Sequence, residues 1–148
     1  LCDTMKSFFK GFGIMSDGVL HVSPRETVEL CERGAVLIDV REDYMNRFKI
    51  FDVEELIFCP LSILEDKYKE LPYHKPLIFA DAAGLRSKEA VLLLKSKGKK
   101  NIANMAGGIV EWERDNYPLI IDKSERLTGS CMCMLRPRDK KRKTKEIN

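Results

Sequence analysis

Three short apolar runs, Ala35-Val36-Leu37-Ile38, Leu56-Ile57-Phe58-Cys59 and Leu77-Ile78-Phe79-Ala80, lack the apolar-polar alternation of a half-exposed strand. Such runs suit strands covered on both faces, as in a parallel sheet with helices above and below. Helical signals lie between them. Ser23-Pro24-Arg25-Glu26 combines an N-cap serine, a proline suited to the first helical position and a glutamate that completes a capping box, so it predicts a helix stopped by Gly34. Residues 87–95 predict a second helix, with a serine start and Gly98 as its stop. Ile102-Ala103-Asn104-Met105 predicts a further strand, Gly107 and Gly108 a turn, and Val110, Trp112 and Glu113 a helix ending before Pro118. Strands and helices in alternation predict an α/β domain with a largely parallel sheet. A chain of 148 residues with 44% hydrophobic content holds one such domain and short extensions.

Charge divides the chain. Residues 134–148 carry seven basic residues (Arg136, Arg138, Lys140, Lys141, Arg142, Lys143, Lys145) against Asp139 and Glu146, a local charge of +5. Subtracting that from the net +3 leaves −2 for the rest, so a basic nucleic-acid-binding domain is not expected. The tail reads as a solvated, solubilising end. An acidic partner, RNA or an anionic surface is its alternative reading, weakened by the lack of interleaved aromatics to stack bases. Residues 1–16 read as an arm whose Phe8, Phe9 and Phe12 pack on the domain, 17–121 as the domain, and 122–148 as an extension. No apolar run approaches the ~20 residues of a membrane span. Five cysteines without a disulfide framework suggest reduced thiols and a cytoplasmic protein, with Cys31 and Cys59 as small core residues. The start at Leu1 reads as that of a trimmed or processed piece, which leaves any targeting segment open.

In parallel α/β sheets the chemistry gathers at the carboxyl ends of the strands. The candidate loop is Asp81-Ala82-Ala83-Gly84-Leu85-Arg86-Ser87, between an apolar strand and a helix. Small residues let the backbone turn its amides inward, and the helix N-terminus adds partial positive charge, so Ala82, Ala83, Gly84, Leu85 and Ser87 predict an anion cradle to which Arg86 adds a full charge. A mere tight turn is the competing reading.

These segments resemble the rhodanese, or sulfurtransferase-like, family. Leu37-Ile38-Asp39-Val40-Arg41-Glu42 resembles its first signature, Cys59-Pro60-Leu61-Ser62 its proline-containing segment, residues 80–87 its active-site loop, and residues 104–112 its closing turn and helix. The resemblance spans roughly residues 17–119 and implies a three-layer α/β/α domain. It also implies a cysteine at the first loop position, carrying sulfur as a persulfide from a thiosulfate-type donor to a thiophilic acceptor. Asp81 stands there instead, and a carboxylate forms no persulfide. The expectation is a self-filled loop that repels anionic donors, in a non-catalytic interaction or regulatory module. Asp39 and Arg41 are expected to tie the sheet end to nearby loops. The segment at residues 47–53 also departs from the family's Gly-His-Ile-x-Gly-Ala pattern, and His21 and His74 read as surface or packing residues.

Sulfur chemistry keeps two routes: a thiol from Cys131 or Cys133, its pKa lowered by Arg136 and Arg138, or a cysteine at position 81 in the natural protein. The Cys-x-Cys pair also reads as incidental, or as half a zinc site that needs two more ligands. A phosphoryl-accepting Asp81 would need further carboxylates for Mg²⁺, and only Asp39 is near. No cofactor or metal is expected. The expected partner is a small anion or a sulfur-carrier protein, with no nucleic acid and the oligomeric state open.

Overall fold

The computed structural model describes residues 7–43, 48–121 and 143–146. A seven-stranded sheet runs in the order β1 (Ile14–Ser16), β2 (Val19–Val22), β7 (Ile102–Met105), β6 (Leu77–Ala80), β3 (Val36–Asp39), β5 (Glu55–Phe58) and β9 (Lys143–Glu146). All its pairings are parallel except β1 with β2. A separate antiparallel pair joins β4 (Lys49–Phe51) to β8 (Leu119–Ile121).

The apolar runs form β3, β5 and β6, whose residues are buried throughout apart from Glu55. Their side chains divide between two cores by the period of two. Leu37, Leu56, Phe58, Ile78, Ala80, Ala103 and Met105 meet Leu30 and Cys31 of helix α1 (Pro24–Glu32) and Ile109 and Trp112 of helix α4 (Gly108–Arg114). On the other face Val36, Ile38, Ile57, Leu77, Phe79 and Ile102 meet Leu64 of helix α2 (Leu61–Lys67) and Ala90, Val91 and Leu94 of helix α3 (Leu85–Ser96). This is the three-layer α/β/α arrangement.

Local chemistry sets the helix ends. Ser23 accepts from the Glu26 amide at 3.1 Å and Glu26 accepts from the Ser23 amide at 2.9 Å, the reciprocal capping box. A second Glu26 oxygen takes the Gly13 amide at 2.8 Å, which fastens the arm. Its Phe9 is in the core, with Phe8 and Phe12 packed against it. Helix α3 starts at Leu85, two residues before the serine that marks it in the sequence, because Gly84 takes the cap position in the left-handed region at φ 97°. Residues 143–146 pair with β5 as an edge strand, so that part of the basic tail adds to the sheet.

Two contacts position the carboxyl ends of the strands. Asp39, fully buried, receives Arg41 through Nε at 3.0 Å and Nη2 at 2.8 Å, and takes the Arg41 amide at 3.1 Å. Arg41 Nη2 also donates to the Lys49 carbonyl at 2.8 Å, and its guanidinium lies 5.5 Å from the centre of the Phe51 ring. The pair therefore ties β3 to β4. Phe51 in turn meets Trp112 edge-on at 5.3 Å. In the second contact, the Ile109 and Val110 amides of α4 donate to the carbonyls of Asp81 and Ala82 at 2.9 and 3.1 Å. Gly108 makes this approach possible: a Cβ there would fall 2.4 Å from the Ala82 carbonyl and 2.5 Å from the Asp81 oxygen.

Two stability predictions follow from these contacts. Asp39→Ala should lower the unfolding free energy by about 3–5 kcal/mol in urea titrations followed by Trp112 fluorescence, and Asp39→Leu with Arg41→Met should restore much of it, because the loss comes from stranding a buried charge. Gly108→Ala should cost about 1–3 kcal/mol in the same measurement by forcing α4 off the loop.

Candidate functional site

Strand β6 ends at Ala80 beside Asp39 in register, so the next residue, Asp81, leaves the sheet next to the Asp39–Arg41 pair. Asp81 is buried, with 3% of its surface exposed. Its Oδ1 accepts from the Gly84 amide in a very short contact and lies 3.2 Å from Ser87 Oγ, while Oδ2 accepts from the Arg86 amide at 2.9 Å. The loop thus folds around its own first side chain. Two amides pointing inward just before and within the first turn of α3 make a site suited to negative charge.

A polar chain backs this arrangement. Ser87 Oγ also donates to Asn104 Oδ1, so its single hydroxyl proton sits between two acceptors. Asn104 Nδ2 is 3.3 Å from the Gly84 carbonyl and 3.1 Å from His21 Nδ1. With the amide nitrogen donating, that ring nitrogen is the acceptor of the imidazole. Asn104 and His21 come from neighbouring strands, paired in register. Asn104 falls within the sequence-predicted strand but outside the sequence-predicted site residues, although a polar residue inside the apolar β7 run is a signal for it.

Of the residues read from the sequence, the structure brings Asp81, Gly84, Arg86 and Ser87 together, with Asp39 and Arg41 alongside. Arg86 takes part differently from its sequence reading. Its backbone amide binds Asp81, while its side chain is exposed and makes no ion pair among the described residues. Ala82 gives its carbonyl to α4, and Ala83 and Leu85 are exposed, Leu85 by 74%. His74 is exposed and His21 half-buried. Cys131 and Cys133 lie outside the described residues.

The thiols that are described sit in the two cores. Burial pushes the Cys31 thiol up to about 12, with Glu32 adding to the shift, and the Cys59 thiol up to about 11, with Glu70 adding. Both are free, and neither is a thiolate near neutral pH. No group of three or more histidine, cysteine or carboxylate side chains that could hold a metal occurs among the described residues, and none of their helices is long and apolar enough to cross a membrane.

Comparison with known proteins agrees with this fold. The Rhodanese-like domain profile matches residues 23–115. Thiosulfate sulfurtransferase GlpE of Pseudomonas syringae is 28% identical over 98 residues, covering 66% of this chain and 90% of that protein. A maize protein, adenylyltransferase and sulfurtransferase MOCS3-2, is 31% identical over 107 residues, covering 66% of this chain and only 22% of its own length. The crystal structure of a rhodanese-related protein from Thermoplasma volcanium superimposes with a TM-score of 0.61 at 29% identity, covering 69% of this chain and 98% of that one. With the profile matched across more than half its length, from the capped first helix through the Asp81 loop to the helix after Gly107 and Gly108, this chain belongs to the family of rhodanese-like domains.

Proposed function

We propose that this rhodanese-like domain does not carry sulfur on its loop and serves as an interaction or regulatory module. The observation that supports this reading is the Asp81 carboxylate, held by the Gly84 and Arg86 amides at the position where the family resemblance implies a cysteine. A persulfide requires a sulfur nucleophile, and the loop supplies oxygen instead. The carboxylate also occupies the amides that a donor anion would use, so thiosulfate meets a filled, like-charged site. The partner is then a sulfur-carrier protein or another component of sulfur transfer, the activity named in the Pseudomonas and maize relatives. Two buried, unpaired thiols, Cys31 and Cys59, support a cytoplasmic location.

The relatives' names also favour a second reading. In it the domain transfers sulfur through Cys131 or Cys133, or through a cysteine at position 81 of the natural protein.

Incubation with thiosulfate and cyanide separates the two. This chain should release no thiocyanate above the blank, and Asp81→Cys should gain turnover, with about 32 Da added to the loop peptide after donor treatment. Turnover by this chain would overturn the proposal: turnover that survives Cys131→Ser with Cys133→Ser would return the chemistry to the loop, and turnover that disappears with them would establish the second reading. Asp81→Ala should in addition cost about 1–3 kcal/mol of stability in urea titration, because it leaves the inward amides without an acceptor.

A further inference from the structure

A concave site lies away from the Asp81 loop, on the face of the sheet covered by α1 and α4. Helix α1 ends at Glu32, shortly before β3, and residues 52–54 join β4 to β5. Because β3 and β5 are parallel neighbours, both connections lie at the amino ends of their strands, opposite the end that Asp81 leaves. Between them is a cavity of about 220 Å³. Val28 and Cys31 of α1, Val53, Trp112 of α4 and Pro118 give it an apolar lining, and Glu32, Asp52 and Glu54 complete its wall.

Polar groups at the floor are already paired. The Pro118 carbonyl takes both the Trp112 indole N–H at 2.8 Å and the Asp52 amide at 3.1 Å. Trp112 is fixed further by Phe51, edge-on at 5.3 Å, and by Tyr117 at 5.5 Å, so the wall it forms is set in advance of any occupant. The mouth differs in character. Glu32 and Glu54 are exposed, and neither makes an ion pair among the described residues. The cations nearest to them in the chain and the sheet are committed elsewhere, Arg33 to Glu29 at 2.6 Å and Lys75 to Glu55 at 2.5 Å. An apolar hollow is thus rimmed by negative charge that the described residues do not neutralise.

We propose, resting on the reading of this domain as an interaction module, that the cavity docks a segment of a partner protein in which one large apolar side chain is flanked by lysine or arginine. Size separates a side chain from a cofactor: pockets for drug-sized ligands run to roughly 300–1,000 Å³, and this one is smaller. A floor whose polar groups are paired gives a polar metabolite nothing to orient it, while an apolar side chain gains by leaving water. The carboxylates at the mouth repel nucleic acid, anionic membrane and acidic peptide alike, and they favour cations on either side of the anchor. A single apolar anchor in a preformed pocket, ringed by weaker charged contacts, is the arrangement in which a few residues carry most of the affinity of a protein contact.

The test adds an acetylated, amidated peptide, Lys-Lys-Leu-Lys-Lys, to the full chain. Calorimetry reads its affinity, and emission from Trp112, the single tryptophan, reads its arrival in the cavity. Saturable binding with a shift in that emission is expected, and serine in place of the peptide's leucine should weaken binding by about tenfold or more. Glu32→Gln with Glu54→Gln should weaken it about fivefold at low salt and reduce its salt dependence. Val53→Phe, which narrows the cavity, should remove the emission shift, with circular dichroism and thermal midpoint reporting the fold. Absence of saturable binding, binding indifferent to the leucine, or binding unchanged in the glutamine pair would each overturn the proposal. So would binding that appears only after Lys140→Gln, Lys141→Gln and Arg142→Gln, which would give the cavity to this chain's own tail. None of these readouts involves sulfur transfer, so a failure here is distinct from thiocyanate release, which tests the interaction-module reading itself.

Discussion

Everything at the carboxyl end of this sheet depends on a backbone-to-backbone contact. The first amides of α4 meet the carbonyls of Asp81 and Ala82 with no side chain between them, across a gap that only a glycine at position 108 leaves open. With its outer carbonyls committed to α4, the loop turns its remaining polar groups inward, and Gly84 and Arg86 present their amides to the side chain at position 81. The cradle thus results from two helices closing on one loop. Asp39 and Arg41 brace the same region from the neighbouring strand, where a buried guanidinium is satisfied at once by a carboxylate, a carbonyl and an aromatic face. The Asp81 side chain is therefore held between amides whose direction the two helices set.

The interior was legible in the sequence, and the periphery was not. Runs such as Leu77-Ile78-Phe79-Ala80 announce a doubly covered strand because no half-exposed strand tolerates them, and the capping box at Ser23 announces its helix through reciprocal hydrogen bonds that span only three residues. β4, β8 and β9 are three or four residues long, and their pairing partners are distant in sequence, as with Lys49 opposite Ile121. No local pattern encodes such a pairing. Residues of the loop were identifiable by type, but their roles were not. Arg86 reads as a charge for the cradle, and in the fold it is the amide of Arg86 that serves while the guanidinium faces out. That distinction rests on where Gly84 starts the helix, a matter of one left-handed φ.

Polar and apolar roles are separated along the strand axis. One end holds the buried carboxylates Asp39 and Asp81 with their backbone donors, and the other holds lysines spread over tyrosine rings. Between them lie two apolar cores that also hold Cys31 and Cys59, and burial raises both thiols above their ordinary range. Packing thus holds both described thiols inside the apolar cores.

The strand order carries one more consequence. The sheet is bounded on one side by β1, the first described strand, and on the other by β9, the last, while the strands that carry the loop lie in the middle. Open strand edges invite pairing with foreign chains, and β9 covers the edge of β5, with its Leu56, Ile57 and Phe58. A strand that carries Lys143 and Lys145, and not an apolar run, therefore ends the sheet on this flank, the kind of sequence with which natural sheets blunt an edge.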